Sequence, residues 1–105
     1  MPVPVDTKDA VIERIISVRQ RLAALGVKNI GLFGSFAKEL QGPASDVDIL
    51  VEFMPEQHTF DNFMEVSFLH EDILGRKVEV VTLGFLSPHI GPHILNELVR
   101  IDVAA

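Results

Sequence analysis

Gly34-Ser35, a gap of ten residues, and then Asp46-Val47-Asp48-Ile49-Leu50-Val51 form the stretch from which the rest of this 105-residue chain can be read. Successive strand side chains alternate between faces and recur about every 6.6 Å on one face. Asp46 and Asp48 therefore share one face of a strand, and Val47, Ile49, Val51 and Phe53 share the other. One face is core and the other is chemistry. Two carboxylates about 7 Å apart repel by about 2 kcal/mol at an effective dielectric of about 20, a cost that a cation between them offsets. Hard oxygen ligands of this kind suit magnesium, which usually completes its shell with water and substrate phosphates. Upstream, residues 28–33 read as a strand, Gly34 permits a tight turn, and Ser35 is placed to cap a short helix from Phe36 to Glu39. Free amides and a hydroxyl at a helix start favour phosphate, so the pattern predicts a phosphate and a divalent cation held together.

The third element of the site comes later in the chain. Lys77 to Thr82 reads as a strand with Val78 and Val80 on one face and Glu79 and Val81 on the other. Paired beside the Asp-x-Asp strand, it would bring Glu79 to the side of Asp46 and Asp48 and make a carboxylate triad.

The remaining elements frame these strands. From Thr7 to Leu25 the apolar residues Val11, Ile12, Ile15, Ile16, Leu22 and Leu25 follow a helical period. Asp6 or Thr7 can cap this helix and Gly26 can end it; its other side, with Arg14, Arg19 and Arg21, reads as a solvated face. A second helix is expected from Thr59 or Asp61 to Leu74, with its phenylalanines in the core and Gly75 as its stop. His58 and His70 read as surface residues. The tail suggests a short helix interrupted or restarted at Gly91-Pro92, then an edge strand or docked tail over Val99 to Val103. His89 and His93 stand four apart, but Pro92 disturbs the helix between them and no cysteine or third histidine completes a zinc set.

Composition sets the outer limits. The length predicts a single domain spanning residues 1–105. A hydrophobic content of 48% with 23% charged residues fits a folded globular protein rather than a disordered one. The net charge of -6 argues against a nucleic-acid-binding surface, which relies on Lys and Arg; a single nucleotide, whose phosphates metal can meet, is compatible with it. Cysteine is absent, which excludes disulfides and thiolate sites. No apolar run approaches the ~18 residues of a membrane span and the N-terminus lacks a signal core, so a cytoplasmic protein is expected.

Gly34-Ser35-Phe36-Ala37, the ten-residue gap and Ser45-Asp46-Val47-Asp48-Ile49-Leu50-Val51-Glu52-Phe53 resemble the minimal nucleotidyltransferase family, within the DNA polymerase beta-type nucleotidyltransferase superfamily. Leu74-Gly75-Arg76-Lys77-Val78-Glu79-Val80-Val81-Thr82 looks like that family's third motif, and the resemblance runs from Asp9 to Ile101. It implies an α/β fold: a small mixed sheet of the polymerase beta-like type, with helices packed on one face and the acidic site on the open one. It also implies two-metal chemistry with two Mg2+ ions and ATP as co-substrate. Asp46, Asp48 and Glu79 would be the metal-binding and catalytic carboxylates, Glu79 orienting or deprotonating an acceptor hydroxyl. Gly34 and Ser35 would cradle the distal phosphates, with Lys38 adding a charge. Two departures stand out. Ala37-Lys38-Glu39 occupies the place where the family often has Ala-Arg-Gly, and Glu79 stands where the superfamily usually has aspartate.

For the acceptor, the resemblance implies a protein partner. Minimal nucleotidyltransferases of this length are commonly antitoxins encoded beside a HEPN-domain ribonuclease toxin, so the expectation is a hetero-oligomer in which AMP is transferred to a tyrosine of that toxin. Two alternatives stay open. The chain could neutralise the toxin by complex formation alone, or it could be a small-molecule adenylyltransferase, which would normally need more chain for an acceptor pocket.

Overall fold

The computed structural model describes residues 3–82 and 91–103. Four strands form one mixed sheet in the order β3-β2-β1-β4, with β1 at Val27–Phe33, β2 at Val47–Phe53, β3 at Val78–Thr82 and β4 at Val99–Ile101. β1 is antiparallel to both β2 and β4, and β2 runs parallel to β3. The expected mixed sheet and the expected edge strand at 99–101 are both present.

Period decides which face is buried. Val47, Ile49 and Val51 of β2 join Ile30 and Leu32 of β1 in a continuous core with the helices α1 (Lys8–Ser17), α2 (Arg19–Ala24) and α4 (Phe60–Leu74). Removing this apolar surface from water is the main stabilising term. The short helix α3 (Gly34–Lys38) closes the β1 to β2 connection and drives Phe36 into the core, fully buried. Among the described residues the other face is covered only in part. α5 (Gly91–Glu97) leads into β4, and Leu98 lies over Gly31, so close that a methyl group on Gly31 would stand 2.5 Å from it. The β2 and β3 end of that face carries Asp48 and Glu79.

Several local expectations need correction. The helix from Thr7 to Leu25 is two helices, broken at Val18, whose φ of -112° and ψ of 18° leave the helical region. Ser17 Oγ donates to the Arg14 carbonyl at 2.5 Å, the kind of local bond that competes with the helical ladder. Thr7 is the cap, its hydroxyl accepting from the Ala10 amide at 3.1 Å. Arg14 does not belong to a solvated face, since its guanidinium donates to the carbonyls of Val3 and Ile73. In α4 the cap is Thr59 and the stop is Gly75 at φ 65°. Its phenylalanines are not all core: Phe60 is 76% and Phe68 56% exposed, while Phe63 packs against the core. The buried stripe is Val66, His70 and Leu74 at four-residue spacing, and Phe68, two residues from Val66, falls off it. His70 is fully buried, contrary to the surface position expected of it; its Nδ1 lies 2.7 Å from the Val66 carbonyl and its Nε2 is buried without a partner. His58 is exposed as expected and stacks on Phe53 with ring centroids 5.0 Å apart. The tail helix starts at Gly91; His89 lies outside the described residues, and His93 Nε2 is 3.3 Å from Glu97 Oε1. No helix among the described residues is long and apolar enough to cross a membrane.

Candidate active site

Strand register assembles the carboxylates. Asp48 stands opposite Phe33, the last residue of β1, and opposite Glu79 on the parallel neighbour β3. The polypeptide turns directly after Phe33, so Gly34 lies against the Asp48 side chain. A Cβ at position 34 would fall 2.1 Å from Asp48 Oδ2, and the Gly34 φ of 74° is one that L side chains rarely adopt. Glycine is therefore demanded twice, by backbone conformation and by the carboxylate above it.

The electrostatics report the crowding. Burial first, then the negative charges of Glu79 and Asp46 and a hydrogen bond with Glu79, push the Asp48 carboxyl from 3.8 up to about 6. Asp46 and Glu79 are exposed and Asp48 is partly exposed, so a ligand can reach all three. Among the described residues no three Asp, Glu or His side chains are preassembled to hold one ion. The donors that are present still fit magnesium, which is commonly held by one or two carboxylates and completed by water and phosphate. An all-oxygen set with Asp48 opposite Glu79 on neighbouring strands matches that requirement better than it matches a closed protein cage.

The phosphate side of the expected site is only partly as read. Ser35 is not the helix cap: α3 begins at Gly34, its N-cap is Phe33, and Ser35 sits within the first turn with its carbonyl accepting from the Leu40 amide at 2.9 Å. Lys38 lies at the end of α3 and pairs with Glu97 of α5 at 2.8 Å. Lys38, with help from His93, holds the Glu97 carboxyl below its usual range. Glu39 ends α3 in the left-handed region at φ 60°, which explains why a family pattern would carry glycine there. The structure thus brings Asp46, Asp48, Glu79 and Gly34 together, and commits Lys38 to a neighbouring helix.

One residue escaped the sequence reading. Arg76, two residues before β3, sends its guanidinium under the loop that delivers Asp46, with Nη1 at 3.0 Å from the Ser45 carbonyl, 3.1 Å from Pro43 and 3.3 Å from Gly42. Arg76 falls within the Leu74 to Thr82 motif, but no period or spacing there gives it a role apart from that of Lys77 beside it.

Comparison with known proteins bears on the same residues. The family model described as a nucleotidyltransferase domain matches residues 12–101, nearly the span over which the motifs resemble minimal nucleotidyltransferases. A protein of Methanocaldococcus jannaschii that carries the provisional name protein adenylyltransferase is 38% identical over 76 residues, covering 72% of this chain and 81% of its own. The protein adenylyltransferase MntA of Thermococcus cleftensis is 34% identical over 92 residues, covering 86% of this chain and 92% of its own. Among solved structures, a toxin-antitoxin crystallised with AMP-PNP superimposes with a TM-score of 0.72 at 21% identity, covering 87% of this chain and 72% of that one.

Proposed function

We propose that this chain, which belongs to the nucleotidyltransferase domain family, is an antitoxin that transfers AMP from ATP to a tyrosine hydroxyl of a HEPN-domain ribonuclease toxin. The observation that carries the chemistry is the crowding of Asp48: it lies on Gly34, hydrogen-bonds with Glu79, and feels Asp46, with its carboxyl raised to about 6. Such a group favours a divalent cation and the phosphates that come with one. The names of the similar proteins favour a protein as acceptor, since the relatives are protein adenylyltransferases and the solved structure is a toxin-antitoxin with AMP-PNP.

In this reading Asp46 and Asp48 would hold two magnesium ions, with Glu79 as a further ligand. Bound there, the ions supply charge stabilisation to the attacking and leaving oxygens of an in-line displacement. The turn at Gly34 and Ser35 presents backbone amides to the distal phosphates. The acceptor hydroxyl attacks the α-phosphorus, pyrophosphate leaves, and Glu79 takes the hydroxyl proton. Glu79 stands opposite Asp48 in the ladder, so its carboxylate is on the correct strand for that task. Its extra methylene relative to aspartate carries the carboxylate about 1 Å further out, and displacement on that scale can cost about a hundredfold in rate.

A second reading has an observation in its favour. The Lys38–Glu97 pair and the glutamate at position 79 suit an antitoxin that works by complex formation alone. Asp46→Asn combined with Asp48→Asn separates the two. The double variant loses neutralisation of the toxin in cells if AMP transfer is the mechanism. Full neutralisation by a folded double variant sinks the enzymatic reading.

A further inference from the structure

Asp46 is delivered by a loop that has almost nothing apolar to hold it. Leu40 is 75% exposed, and Pro43 and Ala44 are exposed as well. What fixes residues 40–45 is polar. Ser45 and Gly42 bond reciprocally, the Ser45 amide to the Gly42 carbonyl at 3.1 Å and the Gly42 amide to Ser45 Oγ at 2.8 Å. Gln41 Nε2 donates to the Asp6 carbonyl at 3.0 Å. Beyond these bonds, three carbonyls of the loop, those of Gly42, Pro43 and Ser45, converge on Nη1 of Arg76.

The same guanidinium reaches two further segments. Its Nε donates to the Val5 carbonyl, in an N-terminal segment whose Val5 side chain is 1% exposed and whose Val5 amide donates to Leu74 at 2.9 Å. Its Cζ lies 5.2 Å from the ring centroid of Phe36, the fully buried anchor of α3, whose first residue is the Gly34 beneath Asp48. Arg76 is itself three residues from Glu79. One cation therefore joins the turn at Gly34, the loop leading to Asp46 and the strand carrying Glu79. Charge-assisted bonds are about twice as strong as neutral ones, and the planar guanidinium serves the loop through Nη1 and Val5 through Nε while lying over a ring. A lysine ammonium has neither the second arm nor the flat face.

We propose that Arg76 is a positioning residue for Asp46: by clamping the Gly42, Pro43 and Ser45 carbonyls against α3 it fixes the loop that sets where the Asp46 carboxylate stands. The proposal rests on the reading of Asp46 as a cation-holding carboxylate. It places the control of that carboxylate in a side chain whose guanidinium bonds backbone carbonyls of its own chain.

The test uses the full chain and its Arg76→Met and Arg76→Lys variants, with thermal melting to confirm that each is folded. Should Arg76→Met not fold, Arg76→Lys, which keeps the charge and the aliphatic stem, carries the test. Hydrogen exchange at the Gly42 and Ser45 amides is expected to accelerate at least about tenfold in both variants, with the Ile49 and Val51 amides of β2 unchanged, because a loop opens independently of a core strand. Affinity for a non-hydrolysable ATP analogue with magnesium, read by calorimetry, is expected to fall about tenfold. In an Asp46→Asn background the same Arg76 substitutions are expected to change it less than about twofold, since a residue acting only through its neighbour shows non-additivity. A merely structural arginine would lower affinity equally in both backgrounds, and that result, or unchanged exchange at Gly42 and Ser45, overturns the proposal. A wild-type chain that binds no nucleotide would instead refute the transferase reading, and exchange at Gly42 and Ser45 would then decide by itself whether Arg76 holds the loop.

Discussion

Replacing Gly34 by alanine sets a methyl group against a carboxylate. On the existing backbone that methyl would lie 2.1 Å from Asp48 Oδ2 and 3.0 Å from Asp48 Cγ. Ordinary contact begins at 3.4 Å, so either Asp48 retreats by more than about 1 Å or the turn opens. The φ of 74° adds backbone strain, at about 1 to 2 kcal/mol for an L residue in the left-handed region. For a chain of this size that strain lowers the melting temperature by roughly 5 to 15 °C. A displacement of about 1 Å in a reacting group is enough to cost about a hundredfold in rate. The Gly34→Ala protein is therefore expected to melt in that lower range and to transfer AMP at about one hundredth of the wild-type rate. Differential scanning calorimetry and single-turnover transfer kinetics read the two effects separately. A Gly34→Ala protein with wild-type melting and wild-type transfer would refute the close packing of Gly34 on Asp48 as the reason for glycine there.

Further outcomes follow from the same geometry. Asp48, with its carboxyl at about 6, is ionised at neutral pH against its surroundings, so its charge destabilises the fold above pH 6 and that penalty fades as pH falls from 6 towards 3.8. Asp48→Asn is expected to raise stability at pH 7.5 by about 1 kcal/mol after allowance for solvent screening of a partly exposed group, measured by urea unfolding, while abolishing transfer. Magnesium binding by the wild type, read by calorimetry, should in turn weaken as pH falls through 6, because protonation of the metal-free Asp48 carboxyl competes with the cation. His70 acts in the opposite sense: burial lowers its pKa below 6.5, so its contribution to stability is complete above pH 6.5 and is lost as pH falls below it. His70→Leu should flatten the acid limb of a stability profile, and an unchanged limb would count against a neutral buried imidazole. Glu39→Gly relieves the left-handed helix end and is expected to stabilise the fold by about 0.5 to 1 kcal/mol, visible as a higher melting temperature.

What could be read from residues alone followed strand period. Alternation along two strands places Asp48 and Glu79 on one face, and parallel pairing of β2 with β3 sets Glu79 opposite Asp48; Asp46 stands one residue before β2, in the loop, and not on the strand as the alternation implied. The match of the family model over residues 12–101 agrees with a resemblance drawn from three short motifs. Features that depend on a tertiary partner were not legible. Phe60 and Phe68 are apolar but lie off the buried stripe, and His70 is polar but lies on it; helical phase, not residue type, decided each. The break at Val18 sits beside a local serine bond that composition does not reveal. Lys38 reads as a free cation until α5 brings Glu97 to it. Arg76 reads as an ordinary charge until the segments at Val5, Phe36 and Gly42 to Ser45 fold around it.

Intact mass spectrometry of the proposed HEPN-domain toxin partner, after incubation with the purified protein, ATP and magnesium, tests the central claim most directly. The account predicts a mass gain in whole AMP units that maps to a tyrosine and disappears when Asp46 and Asp48 are both changed to asparagine. A partner that binds this chain stably, in the presence of ATP and magnesium, and gains no mass would contradict it.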